Sequence, residues 1–179
     1  MKLHRLASLP LVALVVGSVV LSGCSPVPEP TPTPTAVFAS EEDAFAAAEE
    51  TYRAYTDELN QVDVGEPETI DALFSLTSGD FEAADRKTFS ELYAAGYELT
   101  GETKVADFRA VSADIMKGAV VAEVCVDVSQ SDVVDQDGVS VTPPNRPDLN
   151  SLTVTFASSD GRLSIERAAR SESSSCAVE

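Results

Sequence analysis

The chain has 179 residues, with 12 Lys and Arg against 30 Asp and Glu, for a formal charge of −18. That length allows one ordinary domain with appendages, and the acidic balance excludes a nucleic-acid binder, which needs a basic face to displace counterions. An apolar content of 44% excludes global disorder, while the absence of Trp and only 6% aromatic residues leave little for an aromatic cage or a base-stacking platform.

The first residues, Met1 to Arg5, are short and basic, and an apolar run from Leu6 to Leu21 follows. This is the layout of a secretory leader, since a spanning helix needs about 20 apolar residues and this run is shorter and holds Pro10. The run ends in Leu21-Ser22-Gly23-Cys24, which resembles the lipobox of bacterial lipoproteins. The resemblance implies a signal peptide over 1–23 and a diacylglyceryl thioether on Cys24, which becomes the first mature residue. The mature chain would then have 156 residues, a charge of −20 and no His. Two acyl chains suffice for stable anchoring, so the implied location is extracytoplasmic, lipid-anchored to the bacterial cell membrane.

Residues 24–36 form the lipidated Cys and a tether, Ser-Pro-Val-Pro-Glu-Pro-Thr-Pro-Thr-Pro-Thr over 25–35. Alternating Pro fixes φ and removes backbone donors, which predicts a polyproline II spacer reaching roughly 34 Å at about 3.1 Å per residue. A single domain is expected over 37–179.

Ser40-Glu41-Glu42-Asp43 reads as a helix start. Phe45, Ala48, Tyr52, Tyr55, Leu59 and Val62 then fall on one face of a helix of about 22 residues. Gly65-Glu66-Pro67 breaks it, and Pro67–Leu76 is expected to be a short helix. Ser78-Gly79-Asp80 opens a third, with Phe81, Ala84, Thr88, Leu92 and Ala95 on one face and Gly96 as its stop.

After Gly96 the period falls to two. Tyr97–Thr100 and Thr103–Asp114 predict a strand interrupted at Gly101. Val120, Ala122, Val124, Val126 and Val128 alternate with Val121, Glu123, Cys125, Asp127 and Ser129, the strongest strand signal in the chain. Asp137-Gly138 predicts a hairpin between Val133-Val134 and Val139–Val141. Leu152, Val154 and Phe156 mark the next strand, Asp160-Gly161 a turn, and Leu163, Ile165 and Ala169 the inner face of the last.

Helices first and antiparallel strands after predict an α+β domain, with the N-terminal helices packed on a curved, mainly antiparallel sheet. This order over Ser40 to Arg170 resembles the nuclear transport factor 2-like fold, with a cystatin-like sheet as competitor. The chain is also similar to Pro/Thr-tethered lipoproteins of high-GC Gram-positive bacteria, through Val124-Cys125-Val126-Asp127 and Ser175-Cys176. With Cys24 committed to lipid, Cys125 and Cys176 are an even pair outside the cytoplasm, and a disulfide is expected. A reactive Cys125 is the alternative, with no mature His to activate it.

The same lack of His removes the usual Ser-His-Asp, Cys-His and Zn constellations, and no phosphate loop or dinucleotide fingerprint is present. No catalytic, cofactor or metal residues are therefore assigned. The acidic Asp132, Asp135 and Asp137 fail the calcium-loop test, because its first and last ligand slots fall on Val133 and Pro144. The fold resemblance implies a cone-shaped pocket, for which Tyr52, Tyr55, Tyr93 and Tyr97 are the candidate lining residues, with Asp107 and Asp114 as available carboxylates. The sequence reading is thus a non-enzymatic binding or scaffolding module of the envelope, partnered by the membrane through Cys24 and by an envelope protein, polymer or small ligand. The alternative is an isomerase- or cyclase-like enzyme using Asp and Tyr acid–base chemistry.

Overall fold

The computed structural model describes residues 35–171 and Cys176. The leader, Cys24 and most of the tether lie outside the described residues. Helices α1 (Glu41–Leu59), α2 (Pro67–Phe74) and α3 (Gly79–Ala95) come first, and strands β1 (Glu98–Asp114), β2 (Ala119–Val134), β3 (Leu149–Ser159) and β4 (Arg162–Arg170) follow. The strands form one antiparallel meander in the order β1-β2-β3-β4. The helices cover one face of this curved sheet, which is the expected α+β arrangement.

The Oγ of Ser40 caps α1 by accepting from the Asp43 N–H at 3.1 Å. The helix stops at Leu59, shorter than the apolar spacing predicts. Val62 is buried from the turn that follows, where its N–H donates to the Leu59 carbonyl. Asn60 at this end bonds edge strand β1 as a backbone would, donating to the Thr103 carbonyl at 2.9 Å and accepting from its N–H at 2.8 Å. Pro67 starts α2. That helix ends at Phe74 rather than Leu76 because the next residues pair with β4. The Ile165 N–H donates to the Leu76 carbonyl at 2.9 Å, and the Ser78 N–H donates to the Ile165 carbonyl at 2.8 Å. The link between α2 and α3 therefore covers part of the β4 edge.

The core lies between α1 and the sheet. Ala44 and Ala48 are fully buried, and their small side chains let the helix approach the strands. Opposite them stand Val120, Ala122 and Val124 of β2, Val154 and Phe156 of β3 and Ile165 of β4, all without solvent exposure. The valine alternation of β2 thus faces inward, and Cys125 faces the other way. Cys125 and Cys176 are joined in a disulfide with Cα atoms 5.6 Å apart, which fastens the C-terminal tail to the outer face of the sheet.

Bulges explain two departures from strict alternation. β1 slips register against β2 between Val105 and Asp107 and again between Ala110 and Ser112. Each slip adds one residue and changes which parity faces the core, so Val105, Phe108 and Ala113 all pack inward. In β4, Phe156 pairs with Ile165 but Thr155 pairs with Arg167. Glu166 is the extra residue, and Ala168, not the expected Ala169, takes the inner position. Such bulges bend a sheet as well as re-aiming its side chains. Gly101 sits in β1 at φ +77°, where a Cβ would press on the Gln130 carbonyl. The Asp137-Gly138 turn forms, but the pairing beyond it is one bridge, Val134 to Ser140, before Pro143 and Pro144 end it.

Candidate functional site

Two places combine shape with chemistry. The first is the inside of the cone. Tyr52 and Tyr55 of α1 are 4% and 7% exposed. The Tyr52 ring meets Phe156 edge-on at 6.4 Å, and Phe108 packs on the other side of Phe156 at 6.3 Å. The Tyr55 ring meets Phe81 of α3 at 5.3 Å. These rings pack together in the interior between the helices and the sheet.

One polar group enters this aromatic cluster. The Tyr55 hydroxyl donates to Oδ2 of Asp85 at 3.0 Å, linking α1 to α3. Burial pushes the Asp85 carboxyl up to about 6, although the Tyr55 bond favours its charged form. Burial also pushes the Tyr52 and Tyr55 phenols well up, with the negative charge of Asp85 adding to it. Both tyrosines are consequently neutral donors across the physiological range. A carboxyl near 6 suits proton transfer. Its hydrogen bond, however, is spent on a core phenol.

Asp85 carries no signal in a search for apolar periodicity, since an ionisable residue reads as solvent-facing. The expected inner face of Phe81, Ala84, Thr88, Leu92 and Ala95 is corrected by the structure. Ala84, Thr88 and Ala95 are exposed, while Phe89 is buried and Phe81, Asp85 and Leu92 are half-buried. Phe81, Asp85 and Phe89 recur at i, i+4 and i+8, so the stripe runs through the carboxylate. That spacing was the available clue.

The second place is a groove between α2 and α3 with a volume of about 320 Å³. Val64 and Phe89 form a buried floor, Pro67, Ile70 and Phe74 one wall, and Tyr93 the other. Asp71, Arg86 and Ser90 supply its polar atoms. The Arg86 guanidinium lies 3.8 Å from the centroid of the Phe74 ring and is held there by Glu82, to which its Nε donates at 2.8 Å. A smaller opening of about 140 Å³ lies where α1 ends against β1 and β2. Arg146 lines it, but the guanidinium donates to the Val128 and Ser131 carbonyls at 2.8 and 2.5 Å and so ties down the β2–β3 connection. Neither opening is lined by Tyr52, Tyr55 or Asp85.

The four candidate tyrosines therefore do not converge. Tyr52 and Tyr55 belong to the core, and Tyr93 is 66% exposed on the groove. Tyr97 is half-buried after α3, where its N–H donates to the Leu92 carbonyl. Asp107 is exposed, and Asp114 accepts from the Met116 and Lys117 N–H groups in the β1–β2 turn. The hairpin carboxylates are likewise used locally. Asp135 Oδ1 accepts from the Asp137 and Val139 N–H groups, and Asp132 Oδ1 accepts from the Ser140 hydroxyl.

No protein-family model matches the chain, and no curated protein matches it. Among solved structures it is similar to a candidate aromatic ring hydroxylase from Novosphingobium aromaticivorans, with 15% identity over 73% of this chain and 89% of that one and a TM-score of 0.50. It is also similar to the intermembrane-space region of the chloroplast protein ARC6, with 17% identity over 70% and 94% and a TM-score of 0.46. A candidate polyketide cyclase from Xanthomonas campestris matches at 17% identity over 70% and 89%, with a TM-score of 0.38. At 15% identity the likeness to the first of these speaks to fold alone, an α+β cone of the nuclear transport factor 2-like kind.

Proposed function

We propose that this chain is a lipid-anchored extracytoplasmic lipoprotein whose cone domain is a non-enzymatic binding module, with the α2–α3 groove as its binding place. The observation that carries the binding reading is the exchange of cavities. The inside of the cone is packed with Tyr52, Phe108 and Phe156, while an open, largely apolar groove lies outside it. Apolar concavities with a few polar groups are where ligands and partner side chains gain most from leaving water. Mapping fragment binding by NMR tests this. Shifts at Ile70, Phe74 and Tyr93 are expected, and shifts confined to Tyr52 and Asp85 would overturn it. The anchor rests on Leu21-Ser22-Gly23-Cys24 after a basic and apolar leader. A palmitate analogue fed to producing cells should label the protein, and Cys24→Ser should abolish the label. Persistent labelling of that variant would remove the assignment.

A second reading has its own observation. The Asp85 carboxyl, at about 6 beside the Tyr55 hydroxyl, has acid–base character that a small-molecule isomerase or cyclase would use. It requires the aromatic packing over Asp85 to open. A turnover screen in which Asp85→Asn abolishes an activity would favour this reading over the binding module.

A further inference from the structure

The groove lining specifies more than an apolar contact. We propose that its occupant is an extended, basic peptide segment of a partner protein, with a prolyl or aliphatic side chain on the Val64–Phe89 floor and a Lys or Arg beside Asp71. This rests on the groove being the binding place.

Length is the first argument. From Arg86 to Tyr93 is seven residues of helix, about 10 Å at 1.5 Å per residue. Three residues of polyproline II, at about 3.1 Å each, span the same distance. An opening of about 320 Å³ on that length holds a few side chains of an extended segment. A long acyl chain would overrun it.

Charge is the second argument. Arg86 is the cation of the groove, and its charge is already met by Glu82 at 2.6 Å. The Asp71 carboxylate makes no hydrogen bond or ion pair among the described residues. With Glu82 pairing Arg86 from beside the groove, the three charged groups sum to −1 and Asp71 is the charge left without a partner there, on a chain whose formal charge is −18. An anionic ligand would meet repulsion here, and a cationic one is steered in. The third argument is the Tyr93 ring, 66% exposed on the groove wall. Exposed aromatic rings receive prolyl rings and guanidinium groups on their faces. The position of Arg86 on Phe74 shows the same contact already made within the groove.

Fluorescence anisotropy of the full chain with a labelled twelve-residue probe, Arg-Pro-Leu-Pro repeated three times, tests the inference. Binding is expected to weaken at least tenfold with Tyr93→Ala and at least threefold with Asp71→Asn, and to be unchanged with Asp107→Asn on the exposed sheet. The same probe with Glu for Arg should bind at least tenfold more weakly. A probe of Arg-Gly-Ser-Gly repeats carries equal charge, and equal binding by it would reduce the effect to bulk charge and overturn the inference. Equal binding of the Glu probe, displacement of the labelled basic probe by dodecanoate but not by its own unlabelled form, or indifference to Tyr93→Ala would also overturn it. Circular dichroism confirms that the variants are folded. If fragments still shift Phe74 and Tyr93 but the basic probe does not bind, the partner class fails and the binding module stands. If neither occurs, both fail.

Discussion

Asp85→Asn should stabilise this domain, and only above acidic pH. In the folded protein the Asp85 carboxyl titrates at about 6, against an ordinary 3.8. The folded state therefore holds a proton that the unfolded chain releases between those values. The cost is absent below the unfolded value, grows as pH rises through the window, and is complete above about 6. At about 1.4 kcal/mol per pH unit the full difference is about 3 kcal/mol. Contact of the half-buried carboxylate with water reduces it, so about 1–3 kcal/mol is expected near pH 7.5. Asn cannot ionise, and its amide oxygen can accept the Tyr55 hydroxyl in place of Oδ2. Denaturant unfolding followed by circular dichroism from pH 4 to 8 gives the comparison. The variant and parent should be near-equal at pH 4 and diverge through pH 6, with unchanged m-values. Asp114, Asp127 and Asp132, whose carboxyls lie below the ordinary range, act oppositely. Local hydrogen bonds stabilise their charged forms, and that stability is lost as pH falls. They are common to both proteins and cancel in the difference. Tyr55→Phe removes the donor that favours the carboxylate, so it should move the transition higher. Parallel stability curves for parent and Asp85→Asn across the range, within about 0.5 kcal/mol, would refute the reasoning.

Reduction of the Cys125–Cys176 disulfide frees a loop with a sequence separation of 51, worth about 4 kcal/mol by chain entropy. A paired Cys125→Ser and Cys176→Ser variant should show that loss in denaturant unfolding, and intact mass should rise by two hydrogen atoms on reduction of the parent. Gly101→Ala should cost about 2–4 kcal/mol, since it puts a Cβ against the Gln130 carbonyl at positive φ. A loss below about 0.5 kcal/mol in the same assay would show that β1 can shift to relieve the contact.

Much of the fold was legible because it is set by local chemistry. The order of helices and strands follows from the change of period after Gly96. The cap at Ser40, the helix start at Pro67, the turns at Asp137-Gly138 and Asp160-Gly161, and the inward valines of β2 all depend on residues near in sequence. Helix ends and strand parity were less legible, because long-range pairing fixes them. Leu76 leaves α2 to bond Ile165, and Glu166 bulges to give the inner position to Ala168.

The site was the least legible part. Four tyrosines could be named as pocket candidates, but no local rule says that Tyr52 fills the cone while Tyr93 stands outside it. Asp85 was hidden by its own charge, which marks a residue as solvent-facing until a helix rotation brings it against Tyr55. The sequence by itself determined an acidic chain whose single His stands at position 4, a basic and apolar start that runs into Leu21-Ser22-Gly23-Cys24, and an even pair of further cysteines, because composition and adjacency suffice for these. Only the tertiary structure decided that the cone is packed and that the groove lies between α2 and α3. Those outcomes depend on how side chains distant in sequence divide a fixed volume, and close packing settles that only when all of them are in place.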